Sequence, residues 1–225
     1  MRNRWVRGLA VMTTLTALGG CSADMMRGSG TSSSAAMASP AGTSSTPAAA
    51  LRTSLNALLS EHVYLAAAAT GAALGGRTAE FQAAAGALDA NSVAIGRAIG
   101  SVYGPDAEKA FLPLWRRHIG FAVDYTTALA AKDQARQDKA VSELVGYTQD
   151  FGAFLASANP HLPKAVVADL VKHHVVTLKE VIDAQASMDA GRAYAALRTA
   201  AGHMQMIADP LAEAIVKQFP DRFRG

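Results

Sequence analysis

Across residues 51–219 apolar side chains return at every third or fourth position instead of alternating, which is the spacing of one helical face and not of one strand face. That rhythm predicts an all-α fold. Turn signals at Gly75-Gly76-Arg77, Tyr103-Gly104-Pro105-Asp106, Lys132-Asp133, Asn159-Pro160-His161 and Asp189-Ala190-Gly191 divide the stretch into six helices. With 50% hydrophobic and 17% charged residues, the chain can fill a mid-sized core and is not disordered throughout.

The turns are evenly spaced, and the shift that carries His62 onto His118, and His118 onto His174, overlays the sequence on itself twice. Under that shift Leu55, Phe111 and Val167 superpose, as do Leu58, Leu114 and Leu170. In the helices that follow, Leu88, Leu144 and Ala200 correspond, and so do Asn91, Tyr147 and His203. The expected architecture is a six-helix bundle of three repeated helical hairpins of about 56 residues, occupying residues 50–225.

Each repeated histidine precedes its second-helix counterpart with a turn midway, so both members lie roughly 22 Å from that turn at 1.5 Å per residue. If the hairpins close into one bundle, all six positions share a transverse layer. Their neighbours place them on the buried face: His174 follows Val167, Leu170 and Val171 and precedes Leu178 and Val181. A polar group held there without a partner costs about 1–3 kcal/mol, so the layer needs partners.

Two partner sets satisfy it. In the first, His62 pairs with Asn91, His118 with Tyr147 and His174 with His203, as a structural hydrogen-bond layer. In the second, His62, His118, His174 and His203 ligate a transition metal, as facing helices of bundles do. Met206, on the same helical face as His203, then adds a thioether, and Asn91 and Tyr147 support the ligands from behind. His173 is expected in solvent and His161 in an inter-hairpin turn without a role, while Met204, Trp115 and Phe151 are expected in the core. Pro113 and Pro210 fall inside helical patterns and are potential kinks.

The N-terminal part differs in kind. Arg2, Arg4 and Arg7 lead into an apolar run too short to span a bilayer comfortably, which has the shape of a signal peptide over residues 1–20. The run ends in Leu18-Gly19-Gly20-Cys21, which resembles the bacterial lipobox, so Cys21 is expected to carry lipid and anchor the chain to a membrane. Residues 21–49 are rich in Ser, Ala, Gly, Thr and Pro and read as a tether. Without the first 20 residues Lys+Arg falls from 21 to 18 against 18 acids, so charge gives no support to a nucleic-acid partner.

Common catalytic signatures are missing. The sequence holds no His-Glu-x-x-His, Cys-x-x-Cys or Gly-x-Ser-x-Gly, and its glycine pairs lack the lysine of a phosphate loop. An enzyme would have to act through the histidine layer.

Glu61-His62, the segment Leu114-Trp115-Arg116-Arg117-His118-Ile119-Gly120-Phe121, and Gly202-His203-Met204-Gln205-Met206 through Gln218-Phe219-Pro220-Asp221 resemble an exported bacterial helical domain family often labelled copper amine oxidase-like. The chain has neither the Asn-Tyr-Asp/Glu motif nor the His-x-His pair of copper amine oxidases. The resemblance therefore implies copper and no oxidase chemistry.

Taken together, these features predict a lipid-anchored, extracytoplasmic protein of the bacterial cell envelope that binds copper, or alternatively zinc, for sequestration or handling. The competing expectation is a metal-free helical interaction or ligand-binding module with a structural histidine layer, and a metalloenzyme is the third.

Overall fold

A computed structural model describes residues 45–224. The expected signal peptide, Cys21 and most of the expected tether lie outside the described residues. Six helices follow in order: α1 Pro47–Leu74, α2 Thr78–Tyr103, α3 Pro105–Ala130, α4 Gln134–Ala158, α5 Lys164–Ala186 and α6 Ala190–Gln218. A 3-10 turn, Pro220–Arg222, comes after α6. The described residues form no strand.

Local chemistry sets the boundaries. Thr46 caps α1, its side chain accepting from the Ala49 amide, and Pro47 supplies a first-turn residue whose missing N–H costs nothing. The helix therefore starts ahead of the expected boundary at residue 50. Asp133 and Asp189 cap α4 and α6 in the same way, accepting from the Arg136 and Arg192 amides.

The turns α1–α2, α3–α4 and α5–α6 are built alike. Each has a left-handed residue, Gly76 at φ 67°, Lys132 at φ 57° and Met188 at φ 58°. Behind it runs the same reciprocal pair of hydrogen bonds: Arg77 N to Ala72 O with Gly76 N to Ala73 O, Asp133 N to Ala128 O with Lys132 N to Leu129 O, and Asp189 N to Ala184 O with Met188 N to Gln185 O. This is the Schellman closure of a helix C-terminus. The three left-handed residues follow one another at the spacing that separates His62 from His118.

Each helix packs on its chain neighbours, and α6 returns to α1, so the bundle closes into a ring. Within it α1, α3 and α5 also touch one another, forming an inner set that the other three helices bridge. The core runs through Leu55, Leu59, Phe111, Trp115, Phe151, Val167, Val171, Met204 and Ile215, all buried. By length and composition α1 alone among the described helices could cross a membrane, although it carries a row of core residues including Leu55, Leu59 and Val63.

At the end away from the three matching turns, polar side chains tie even-numbered helices together. Asn159, fully buried, donates to the Tyr103 hydroxyl at 2.9 Å; that hydroxyl donates to Gln218 Oε1 at 3.0 Å, and Gln218 Nε2 reaches the Ala158 carbonyl. α3 and α6 run through Pro113 and Pro210 as continuous helices.

Candidate metal centre

His62, His118 and His174 project from α1, α3 and α5 into the space that those helices enclose. All three are buried, and one ring nitrogen from each lies within 4.8 Å of the others. His62 Nε2 and His118 Nε2 stand 3.3 Å apart. Ring centroids are separated by 5.3 Å for His62 and His118 and by 5.8 Å for His62 and His174. Such a group could hold a metal ion.

α3 is rotated into place from outside. Arg116 forks onto Asp89 of α2 at 2.7 and 2.8 Å, while Arg117 pairs with Asp150 of α4 on the other flank. With both flanks committed, His118 faces the centre. Trp115 then packs on two of the imidazoles, at 4.9 Å from His62 and edge-on at 4.6 Å from His118. Tyr147 lies against His118 at 5.0 Å, and burial holds its phenol well above the ordinary value, with Arg117 acting weakly the other way.

Burial makes these imidazoles neutral. His118 is pushed down to about 3, first by desolvation and then by His174, with the Trp115 carbonyl acting in the opposite direction. Desolvation and then His203 lower His174 to about 4. His62 is held well below its ordinary value by burial, His118 and His174. Neutral imidazole is the form that ligates metals. Nδ1 of each of the three has no hydrogen-bond partner of normal geometry, and neither has Trp115 Nε1.

The second-helix residues behave otherwise than the sequence suggested. None of the pairs His62 with Asn91, His118 with Tyr147 or His174 with His203 forms a side-chain hydrogen bond. Asn91 donates to the Leu58 carbonyl at 3.0 Å and to Glu61 at 2.7 Å. His203 Nε2 donates to the Leu170 carbonyl at 3.0 Å and stacks on the exposed His173 at 4.1 Å. Burial lowers the His203 pKa, against the pull of the Leu170 carbonyl, and His173 lowers it further. With its Nε2 on a main-chain acceptor, His203 stands behind His174 and outside the converging set.

Met206 lies apart from the converging histidines, 56% exposed, whereas Met204 is 1% exposed and in the core as expected. The stripe Ala200, His203, Met204, Ala208, Leu211, Ala212 and Ile215 shows why, because this is the buried face of α6 and position 206 falls outside it. Reading that stripe first would have placed Met206 outside the buried face from sequence. What the sequence offered no signal for is the role of the Leu58 and Leu170 carbonyls, since any residue type supplies them.

The layer divides two spaces. Toward the chain ends lies a cavity of about 60 Å³ walled by residues such as Phe111, Trp115, Phe151 and Leu155, with His118 and His174 on its edge. Toward the matching turns, a cleft of about 260 Å³ reaches His62 and His118.

These elements define an all-helical bundle with a buried tri-histidine cluster. Compared with family models, curated proteins and solved structures, the chain matches none.

Proposed function

We propose that His62, His118 and His174 hold one transition-metal ion, copper in preference to zinc, for sequestration or handling outside the cytoplasm. The observation that carries this is the convergence of three neutral imidazoles from three helices, with one ring nitrogen of each within 4.8 Å of the others. Tetrahedral ligands at 2.0–2.1 Å stand about 3.3–3.4 Å apart, and the His62–His118 separation of 3.3 Å is such an edge. Rotation about the broad χ2 wells of histidine brings the third nitrogen in from at most 4.8 Å.

Three imidazoles without a thioether suit copper and zinc alike, and the order of divalent affinities favours copper at equal availability. The likeness of the histidine-bearing segments to a family labelled copper amine oxidase-like leans the same way. A threefold hairpin repeat accounts for the geometry: three Schellman turns and three histidines, each set at one common spacing, bring equivalent residues to one level. The lipobox-like Leu18-Gly19-Gly20-Cys21 supports a lipid anchor in the cell envelope.

The test is metal content. Chelator-stripped chain, incubated with copper or zinc and dialysed, is expected to retain about one ion per chain and to melt at a higher temperature by mass action. His118→Ala and His174→Ala are expected to retain none. Unchanged uptake by either variant would remove the assignment.

A second reading rests on the 3.3 Å contact between His62 and His118, which also suits an imidazole N–H donating to the other ring. In that case the layer is architectural. Protein purified without an affinity tag then carries no metal, and added copper leaves the melting temperature unchanged.

A further inference from the structure

The cleft that reaches the histidine layer differs from its counterpart one repeat spacing along the chain. Between α1, α2 and α3 it measures about 260 Å³, with His62 and His118 at its floor and Ala66, Ala69, Ala122 and Leu88 in its walls. Between α3, α4 and α5 the corresponding space, floored by His118 and His174, is about 80 Å³. Several wall positions are bulkier in the smaller space, with Ile182 against Thr126 and Tyr125 against Ala69 among them. Tyr125, which lines the smaller space, stands to Ala69 as His118 stands to His62, and its ring is buried with the hydroxyl on Asp183 at 2.6 Å.

No charged side chain lines the larger cleft. Its hydroxyls are already committed: Thr70 donates to Ala67 O and Gln185, Thr126 to Ala122 O and Thr127 to Val123 O. The imidazoles of His62 and His118 are thus the side-chain groups left to donate to a guest, the threonine oxygens keeping acceptor capacity only. Val123 and Thr127 at the rim are exposed, so the cleft opens to solvent.

We propose that this cleft binds a small uncharged molecule with an aromatic or aliphatic body and a single hydrogen-bonding head, the body against Ala66, Ala69, Ala122 and Leu88 and the head toward His62 and His118. Size permits it, since an apolar cavity of about 150 Å³ admits benzene. Charge selects for it, because an ionised group would lose its hydration among apolar walls without gaining a counter-charge. Binding requires no metal, and although it uses two of the histidines assigned to the ion, it is tested on the metal-free chain and so is read separately from the ion-binding function proposed above.

The experiment uses the full chain, stripped of metal, and phenol as probe, with benzoate as its charged counterpart of similar size. Proton NMR of the histidine rings follows the titration. Phenol is expected to bind saturably and to shift the His62 and His118 resonances, with benzoate at least about ten-fold weaker. Ala69→Tyr, which copies Tyr125 at the equivalent position of the smaller space, is expected to abolish binding while the circular dichroism stays helical. Ala66→Leu, copying Leu178 at two repeat spacings, weakens it through the same wall and serves if the first variant fails to fold. Absence of saturable binding, equal affinity for benzoate, or undiminished binding in a folded filled-cleft variant overturns the proposal. Because every arm is metal-free, none of these results bears on ion uptake.

Discussion

At the scale of single residues, the buried histidines link acid to instability. Their folded pKa values lie below the unfolded value, near 3 for His118 and near 4 for His174 against an ordinary 6.5. The unfolded chain therefore binds more protons than the native one between those limits, so stability rises with pH across that window. It is greatest above 6.5 and is lost as the pH falls toward 4, by about 1.4 kcal/mol per pH unit for each such histidine. Urea melts of the metal-free chain at pH 7, 6 and 5 check this: midpoints should fall together with pH, and a flat series would mean that the rings are solvated.

Residue identity also sets the limit of what could be read beforehand. The three histidines that converge were legible because they recur at one spacing on one helical face. The donors opposite them were not, because spacing places a residue at a level without fixing what its side chain bonds. Asn91 and His203 both turned to a main-chain carbonyl 33 residues earlier, which satisfied them as buried donors without using a histidine.

At the scale of helices and turns, the periodic pattern carried the fold. Each of the six helices lies where apolar period and turn chemistry put it, and prolines 113 and 210 leave α3 and α6 unbroken. The pattern also separates the two methionines of α6. Met204→Ala is expected to cost about 2–5 kcal/mol, as truncations of buried large residues do. Met206→Ala at an exposed position should stay within about 0.5 kcal/mol and leave ion uptake untouched. Thermal melts of both distinguish a core Met204 from a ligating Met206.

The turns give a further prediction. Lys132 and Met188 adopt positive φ, where a side chain strains the backbone and glycine does not, while Gly76 already has the permissive residue. Lys132→Gly and Met188→Gly are expected to raise stability by up to about 1 kcal/mol each, read as an increased urea midpoint. The exposed pairs Arg116–Asp89 and Arg117–Asp150 orient α3, yet solvent screening limits each to about 1 kcal/mol or less.

At the scale of the whole molecule, ring closure converts a linear spacing into a place. Contact of α6 with α1 encloses α1, α3 and α5, and the histidine of each comes to one depth between an apolar cavity and an open cleft. Nothing in the local sequence stated that closure. It follows from the packing of outer helices into the grooves between inner ones, a property of the assembled bundle.

X-ray absorption on the zinc- or copper-loaded chain tests the centre most directly, because it counts ligands by element and distance. Three imidazole nitrogens at about 2.0–2.1 Å with no sulfur neighbour are predicted. A sulfur ligand, or fewer than three imidazoles, would contradict the account.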